Sequence, residues 1–285
     1  MIDGVKFKES PFYKNNTKLR RGNIIFEYSD DELFELKRCK EDIVYFANKY
    51  CKAMTEDGVK NITLRPYQED MLRHMTNNQF SIIMASRQIG KTVCSGIKIM
   101  HYLCFSTEKN VLLTGNIWKT SKEIRDKIET SYEELPFFLK PGLIINNIQN
   151  MKFDNGCRLI TETAKKRSGI SFTIHFLYMD EFAHIEPNII DEFYESMEPT
   201  VAAVKNSTIV ITSTPNGFNK FAKIYEDAEA GKNSFKPFRV DWWQVPGRDQ
   251  TWYEQEVANL GGEDEFMRQH GNSFLTSADT LLTPL

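Results

Sequence analysis

The stretch that most limits how this 285-residue chain can fold is "FSIIMASRQIGKTV", residues 80–93. The apolar run from Phe80 to Ala85 reads as a short buried strand. From Lys91 to Phe105, Val93, Ile97, Met100 and Cys104 share one helical face. Between the two lies a loop ending in Gly90-Lys91-Thr92. A strand, a glycine-bearing turn and a helix in that order can cradle phosphate. Backbone N–H groups point inward, a lysine reaches the outer phosphates, a hydroxyl serves Mg2+, and the helix N-terminus adds partial positive charge. The tripeptide is common, and an ordinary turn before a helix is the plain alternative. The loop also opens irregularly: Ala85 stands where a first glycine is usual, and Arg87 lies inside it.

The surrounding pattern favours an α/β sheet. "NVLLTG" (110–115), "IHFLYMDE" (174–181) and "STIVITST" (207–214) are further apolar runs, read as buried strands. Helices are predicted over 29–50, capped by Ser29 or Asp30, from Pro66 to about Thr76, and over Trp118–Glu134. "NIQNMKFDNGCRLITET" reads as a hairpin with a two-residue type I′ turn at Asn155-Gly156. Strands alternating with helices imply a mostly parallel sheet whose strand C-termini carry function.

Four further motifs bear on chemistry. Asp180-Glu181 closes an apolar strand about ninety residues after the loop. Asp180 suits metal-bound water at Mg2+, and Glu181 suits polarising an attacking water; taken alone, the pair could be a helix cap. "TSTPNG" (212–217) ends another strand, offering Ser213 and Thr214 to a terminal phosphate, though Pro-Asn-Gly also makes a simple turn. In "LRPYQEDML" (64–72), Tyr67 and Gln68 can face an adenine, whose edge a carboxamide can read; a helix start after Pro66 explains the same residues. "AKKRSG" (164–169) is either a solvated basic loop or the source of an arginine finger, Arg167, with Arg87 as a second candidate.

Bulk properties narrow the class. A composition of 41% hydrophobic and 26% charged residues is enough for a packed core, and the net charge of −3 does not mark a nucleic-acid binder, although a local basic patch can hide beneath it. The five cysteines, Cys39, Cys51, Cys94, Cys104 and Cys157, lack CxxC spacing and read as reduced and mostly buried. No apolar run approaches membrane-spanning length, and "MIDGVKFKES" is too polar for a signal peptide, so a cytoplasmic protein is expected.

In this order the motifs resemble the large terminase subunit of tailed bacteriophages, the DNA-packaging motor, and most closely its myovirus type. "SRQIGKT" is similar to that family's deviant loop, in which the first glycine is often lost and an arginine inserted. "LYMDEFAHI", "TSTPNGFNKFAKIYEDA" and "LRPYQEDML" resemble its acidic strand, its coupling motif with the following helix, and its adenine segment. "EFMRQHGNSF" resembles a stretch near the end of its ATPase region. The likeness covers roughly residues 60–285.

The resemblance implies a RecA-like P-loop NTPase of the ASCE type, with a mostly parallel central sheet flanked by helices and a small lid subdomain. The expected division is 1–60 as N-terminal arm and helix, partly packing with the lid; 61–240 as ATPase core; and 241–285 as the small C-terminal subdomain. The implied site comprises Ser86, Arg87, Gln88, Ile89, Gly90, Lys91 and Thr92 around the phosphates, Tyr67 and Gln68 at adenine, and Thr92 with Asp180 on Mg2+. Glu181 is the implied catalytic carboxylate, Ser213 and Thr214 couple hydrolysis to movement, Arg87 senses the terminal phosphate, and Arg167 reaches a neighbouring subunit. ATP and Mg2+ are the implied ligands. Implied partners are double-stranded DNA, a portal protein, a small terminase subunit and further copies in a ring. The place of action is the host cytoplasm and, transiently, the procapsid portal vertex, but not the mature virion. Family members continue into a ribonuclease-H-type nuclease. Here "SADTLLTPL" falls about where the hinge to it belongs, with no second acidic constellation, so no cutting activity is expected. A helicase-like or other DNA-remodelling ATPase is the alternative; it normally needs a second RecA-like domain, for which too few residues remain.

Overall fold

The computed structural model describes residues 9–55, 58–166 and 172–274. Its centre is an eight-stranded sheet, made from β3 (Phe80–Ala85), β4 (Asn110–Gly115), β5 (Leu143–Asn146), β6 (Asn150–Phe153), β7 (Arg158–Thr163), β8 (Phe176–Asp180), β9 (Thr208–Ser213) and β10 (Lys236–Val240). The order is β10-β3-β9-β8-β4-β7-β6-β5. Every pair from β10 to β7 is parallel, while β6 and β5 run antiparallel. A separate two-stranded ribbon, β1 (Lys52–Thr55) and β2 (Gly58–Asn61), precedes the sheet.

The inner parallel strands β3, β9, β8 and β4 read as near-continuous apolar runs because both faces are covered. Alternate residues go to opposite sides. Ile83, Ala85, Val111, Leu113, Phe176, Tyr178 and Val210 join one buried cluster, and Ile82, Met84, Leu112, Leu177, Met179, Ile209 and Ile211 join the other. Helices α2 (Ile43–Tyr50), α3 (Pro66–Asn77), α4 (Lys91–Phe105) and α5 (Trp118–Glu134) feed the first, and α6 (Pro187–Ala202) and α7 (Lys220–Glu229) the second. Register aligns the functional ends: Met84 pairs with Ser213, Thr212 with Asp180, and Asp180 with Gly115. Three motifs far apart in sequence therefore reach one edge in a row.

Several local expectations change. The single helix over 29–50 is two, α1 (Asp30–Glu41) and α2, because Asp42 leaves the helical region and its carboxylate accepts from Val44 and Tyr45 N–H at 2.9 and 3.0 Å. The start over Ser29 holds, through a reciprocal cap with Glu32. The hairpin exists, but its loop has three residues rather than two. Gly156 alone carries the left-handed φ of +80°, Gly156 N–H donates to the Phe153 carbonyl, and Phe153 N–H to that of Cys157. Strands β1, β2, β5 and β10 were not foreseen: each is four or five residues long, and β10 contains Pro237, tolerated because β10 is an edge.

Residues 20–26, part of the 1–60 segment expected to pack partly with the lid, are tied to the β5 edge, at the other end of the sheet from β10. Arg20 lies between the Phe26 and Phe137 rings and donates to the Phe137 and Lys140 carbonyls. Gly22 N–H donates to the Leu143 carbonyl, and Leu143 N–H to that of Arg20. Helices α8 (Gln250–Leu260) and α9 (Glu263–His270) follow β10. They enclose an aromatic group of their own, Trp242, Trp252, Tyr253, Phe266 and His270. All five cysteines are unpaired, Cys104 partly buried and the other four fully so. Among the described residues no helix is long and apolar enough to cross a membrane.

Candidate active site

Residues 86–93 wrap a cavity of about 480 Å3 at the C-terminal edge of the sheet. Asn116, Thr120 and Lys127 from the β4–α5 side, and Glu181, His184 and Thr214 from β8 and β9, complete its wall. Two left-handed residues shape the loop, Gln88 at φ +59° and Gly90 at φ +84°. Gly90 is needed twice over, since a Cβ there would also sit 2.3 Å from the Gln68 carboxamide nitrogen. Gln68 and Tyr67 support the loop from below. Their amide and hydroxyl both donate to the Ile89 carbonyl at 3.0 Å, and the Gln68 oxygen accepts from Arg65 N–H. Most of the carboxamide expected at a base edge is thus engaged with the loop and its own helix start.

On its other side the loop meets the C-terminal segment. The Ser86 hydroxyl lies 3.4 Å from His270 Nδ1, Arg87 donates to the Gln269 carboxamide at 3.2 Å, and Arg248 donates to the Arg87 carbonyl at 3.1 Å. The irregular loop opening therefore has a structural partner. Ala85 and Ser86 are buried at the strand end, and Ser86 N–H donates to the Val240 carbonyl, while Arg87 is exposed.

The acids sit opposite. Lys91, itself buried, lies 2.7 Å from Glu181 Oε1 and 3.8 Å from Asp180 Oδ1. Glu181 leaves the strand with φ +49°, a conformation that costs a non-glycine residue about 1–3 kcal/mol and recurs where geometry serves function. Burial pushes its carboxyl up, but the Lys91 charge and hydrogen bond, aided by the Thr214 N–H, hold it below the ordinary value. Burial keeps the His184 imidazole below its usual range despite the neighbouring Glu181, so the ring is neutral at pH 7.

The fit to a metal is specific. Asp180 is buried, and the Thr212 and Tyr178 hydroxyls both donate to its Oδ1, at 2.6 and 3.0 Å, which leaves Oδ2 for a metal-bound water. No group of three or more His, Cys, Asp or Glu side chains able to hold a metal occurs among the described residues. One carboxylate and one hydroxyl beside a phosphate site suit Mg2+, which keeps most of its waters and rarely takes a full protein cage.

Ser213 and Thr214 separate in behaviour. The Ser213 hydroxyl donates to the Thr214 carbonyl at 2.7 Å and approaches Glu181 only to 3.5 Å, whereas Thr214 offers Glu181 Oε2 both its N–H and its hydroxyl at 3.4 Å. Arg167 lies outside the described residues. The structure thus gathers the loop, Asp180, Glu181, Ser213 and Thr214, and places Tyr67 and Gln68 behind the loop. Sequence reading missed Asn116, Thr120, Lys127 and His184. Asn116 directly follows a buried strand, a position the strand-end rule points to; Lys127 carries no such signal, because nine residues of helix separate it from that end.

The fold and the site define a P-loop nucleoside triphosphatase of the RecA-like class, with β9 interposed between the loop strand and the acid strand. Residues 82–283 match the family described as terminase large subunit, T4likevirus-type, N-terminal, and the chain belongs to that family. It is a DNA-packaging ATPase region. Solved structures agree in fold. The ATPase domain of the Thermus phage P74-26 large terminase superposes with a TM-score of 0.62 at 17% identity, covering 75% of this chain and 94% of that one. The bacteriophage HK97 large terminase gives 0.68 at 12% identity, covering 82% and 55%. The large terminase of a thermophilic bacteriophage, in complex with ATP-gamma-S, gives 0.56 at 12%, covering 75% and 53%. The chain thus spans about half the length of the HK97 large terminase and of the ATP-gamma-S-bound one.

Proposed function

We propose that this chain binds Mg2+ and ATP in the cavity above β3 and β8 and hydrolyses the ATP to drive double-stranded DNA into a procapsid. The observation that carries the reading is Lys91, whose ammonium is bound to Glu181 at 2.7 Å within a loop built for phosphate. An incoming terminal phosphate competes for that ammonium and frees Glu181 Oε1 to polarise water. Ser86 to Thr92 surround the phosphates. Thr92 and Asp180 hold Mg2+, which when bound neutralises charge developing on the phosphate oxygens. Arg87 exchanges Gln269 for the terminal phosphate. Thr214, more than Ser213, reports the state of Glu181 to the following loop. Tyr67 and Gln68 brace the loop, with the remaining Gln68 N–H directed to the adenine.

In this reading residues 242–274 form the lid. The active assembly is a ring on a portal protein, supplied with DNA by a small terminase subunit, and Arg167 serves a neighbouring copy. The chain works in the host cytoplasm and on the procapsid portal vertex, leaves before the virion matures, and its residues perform no DNA cleavage. The test is Mg2+-dependent phosphate release under ring-forming conditions. Glu181→Gln is expected to lower kcat about 10²–10⁴-fold with ATP-gamma-S affinity kept. Equal phosphate release by the variant and the wild type would remove Glu181 from the chemistry and sink this assignment.

A further inference from the structure

After Glu181 the chain makes one tight helical turn, Phe182–His184. The turn is pinned on both sides. Ala183 N–H donates to the Ser213 hydroxyl at 3.1 Å, and the Ala183 carbonyl accepts from the Asn216 and Asn219 carboxamides at 3.2 and 2.8 Å. This delivers the His184 ring to the cavity wall. Its Nε2 lies 2.8 Å from Thr214 Oγ1 and 3.7 Å from Glu181 Oε2. A hydroxyl has one proton. That proton has two takers, a bare His184 Nε2 at 2.8 Å or Glu181 Oε2 at 3.4 Å; when Nε2 carries the ring proton, His184 donates the shorter bond and the Thr214 proton is left to Glu181. The Nε2–H tautomer makes a directed chain, His184 to Thr214 to Glu181.

We infer that His184 carries its ring proton on Nε2 and is a positioning residue for Glu181, acting through the Thr214 hydroxyl. This rests on the reading of Glu181 as the carboxylate that polarises water. The reason is an imbalance between the two Glu181 oxygens. Oε1 has one short bond, to Lys91 at 2.7 Å, and the contacts of Oε2 are all long, 3.4–3.7 Å. When phosphate draws Lys91 away, the short bond is lost and the carboxylate is held by its weak side alone. A Thr214 hydroxyl free to rotate can then turn its proton elsewhere. With His184 donating to the oxygen of that hydroxyl, its proton has Glu181 Oε2 as its remaining target. The carboxylate keeps its second oxygen toward the attacking water, and small losses of such orientation are costly in rate.

The test compares His184→Phe, His184→Gln, Thr214→Val, the Phe/Val double variant and Glu181→Gln. His184→Phe keeps the ring's bulk and removes the donor. Its kcat is expected to fall ~10–100-fold, with KM for ATP and Kd for ATP-gamma-S within about twofold of wild type. His184→Gln, whose carboxamide N–H can reach Thr214, is expected to recover most of the loss. The double variant should be no slower than Thr214→Val alone, as expected for residues acting in series. A wild-type kcat for His184→Phe, a His184→Gln as slow as the Phe variant, or additive losses in the double variant would each overturn the inference. If these occur while Glu181→Gln is inactive, the site reading stands and only His184 drops out. If Glu181→Gln hydrolyses ATP like wild type, the site reading itself fails.

Discussion

The two ends of the sheet follow different rules. From β10 to β4 all neighbours are parallel, the strands inside the β10 edge are covered on both faces, and the strand ends carry the loop, Asp180, Thr212 and Ser213 in register. From β7 to β5 the chain doubles back in an antiparallel hairpin whose outer residues Ile144, Ile145 and Ile148 are exposed. The first end carries the candidate active site, and the second closes the sheet edge. Helix α5 touches both. Thr120 and Lys127 line the cavity. Buried Arg125 bonds to Glu129, to the Asn146 carboxamide oxygen and, at 2.9 Å, to the Asn147 carbonyl at the hairpin tip. The lesson is that catalytic placement and edge closure are separable problems, joined here by one helix.

Arg125→Ala probes that division with the largest expected effect. It leaves buried polar groups at the hairpin unpaired, and stability should fall by about 3–5 kcal/mol in urea titration. ATP-gamma-S affinity at low temperature should change little. A large affinity loss with little loss of stability would instead make the hairpin part of the site and break the comparison.

Gly90→Ala is the counterpart at the parallel end. The left-handed φ and the displaced Gln68 amide should weaken ATP-gamma-S binding about 10–100-fold, roughly 1.4–2.8 kcal/mol, with a smaller change in melting temperature. Unchanged affinity would show that the loop reshapes freely and that its brace is idle.

Lys98 on α4 gives the smallest effect. It is buried and donates to the Thr76 hydroxyl at 3.3 Å, and burial pushes its ammonium down to about 8 from an ordinary 10.5. The unfolded chain therefore binds more protons between those values, so the wild type gains stability as pH rises from about 8 to about 10.5. Lys98→Met should be more stable at pH 7 by about 1–2 kcal/mol, with the advantage shrinking through that window. An equal difference at pH 7 and pH 10 would mean that the ammonium is not strained by burial.

Legibility followed the same division. The inner parallel strands were readable because burial on both faces demands long apolar runs, and "FSIIMA", "NVLLTG" and "STIVIT" leave little choice. The β5 run "LIIN" and the β10 run "KPFRV" are short edge strands whose pairing depends on partners elsewhere, so local pattern did not mark them. The break at Asp42 was missed because the apolar spacing runs on across it, while one carboxylate captures the next two N–H groups. In the site, Lys91, Asp180 and Glu181 were named from residue type and context alone, whereas His184 and Lys127 carry no such signature and reach the cavity by turn geometry and helix direction.

By itself the sequence determined the class: a buried strand, a glycine-bearing loop, a helix, and acids at the end of a second buried strand. Those features are local, set by backbone conformation, helix capping and hydrophobic pattern. Tertiary structure decided which side chains share an oxygen or a proton. It paired Lys91 with Glu181, put the Gln68 amide under Gly90, set Gln269 against Arg87, and set His184 beside Thr214 and Thr214 beside Glu181. These depend on strand register and on the aim of single residues, such as Glu181 at φ +49°, which distant packing imposes and no short stretch of sequence encodes.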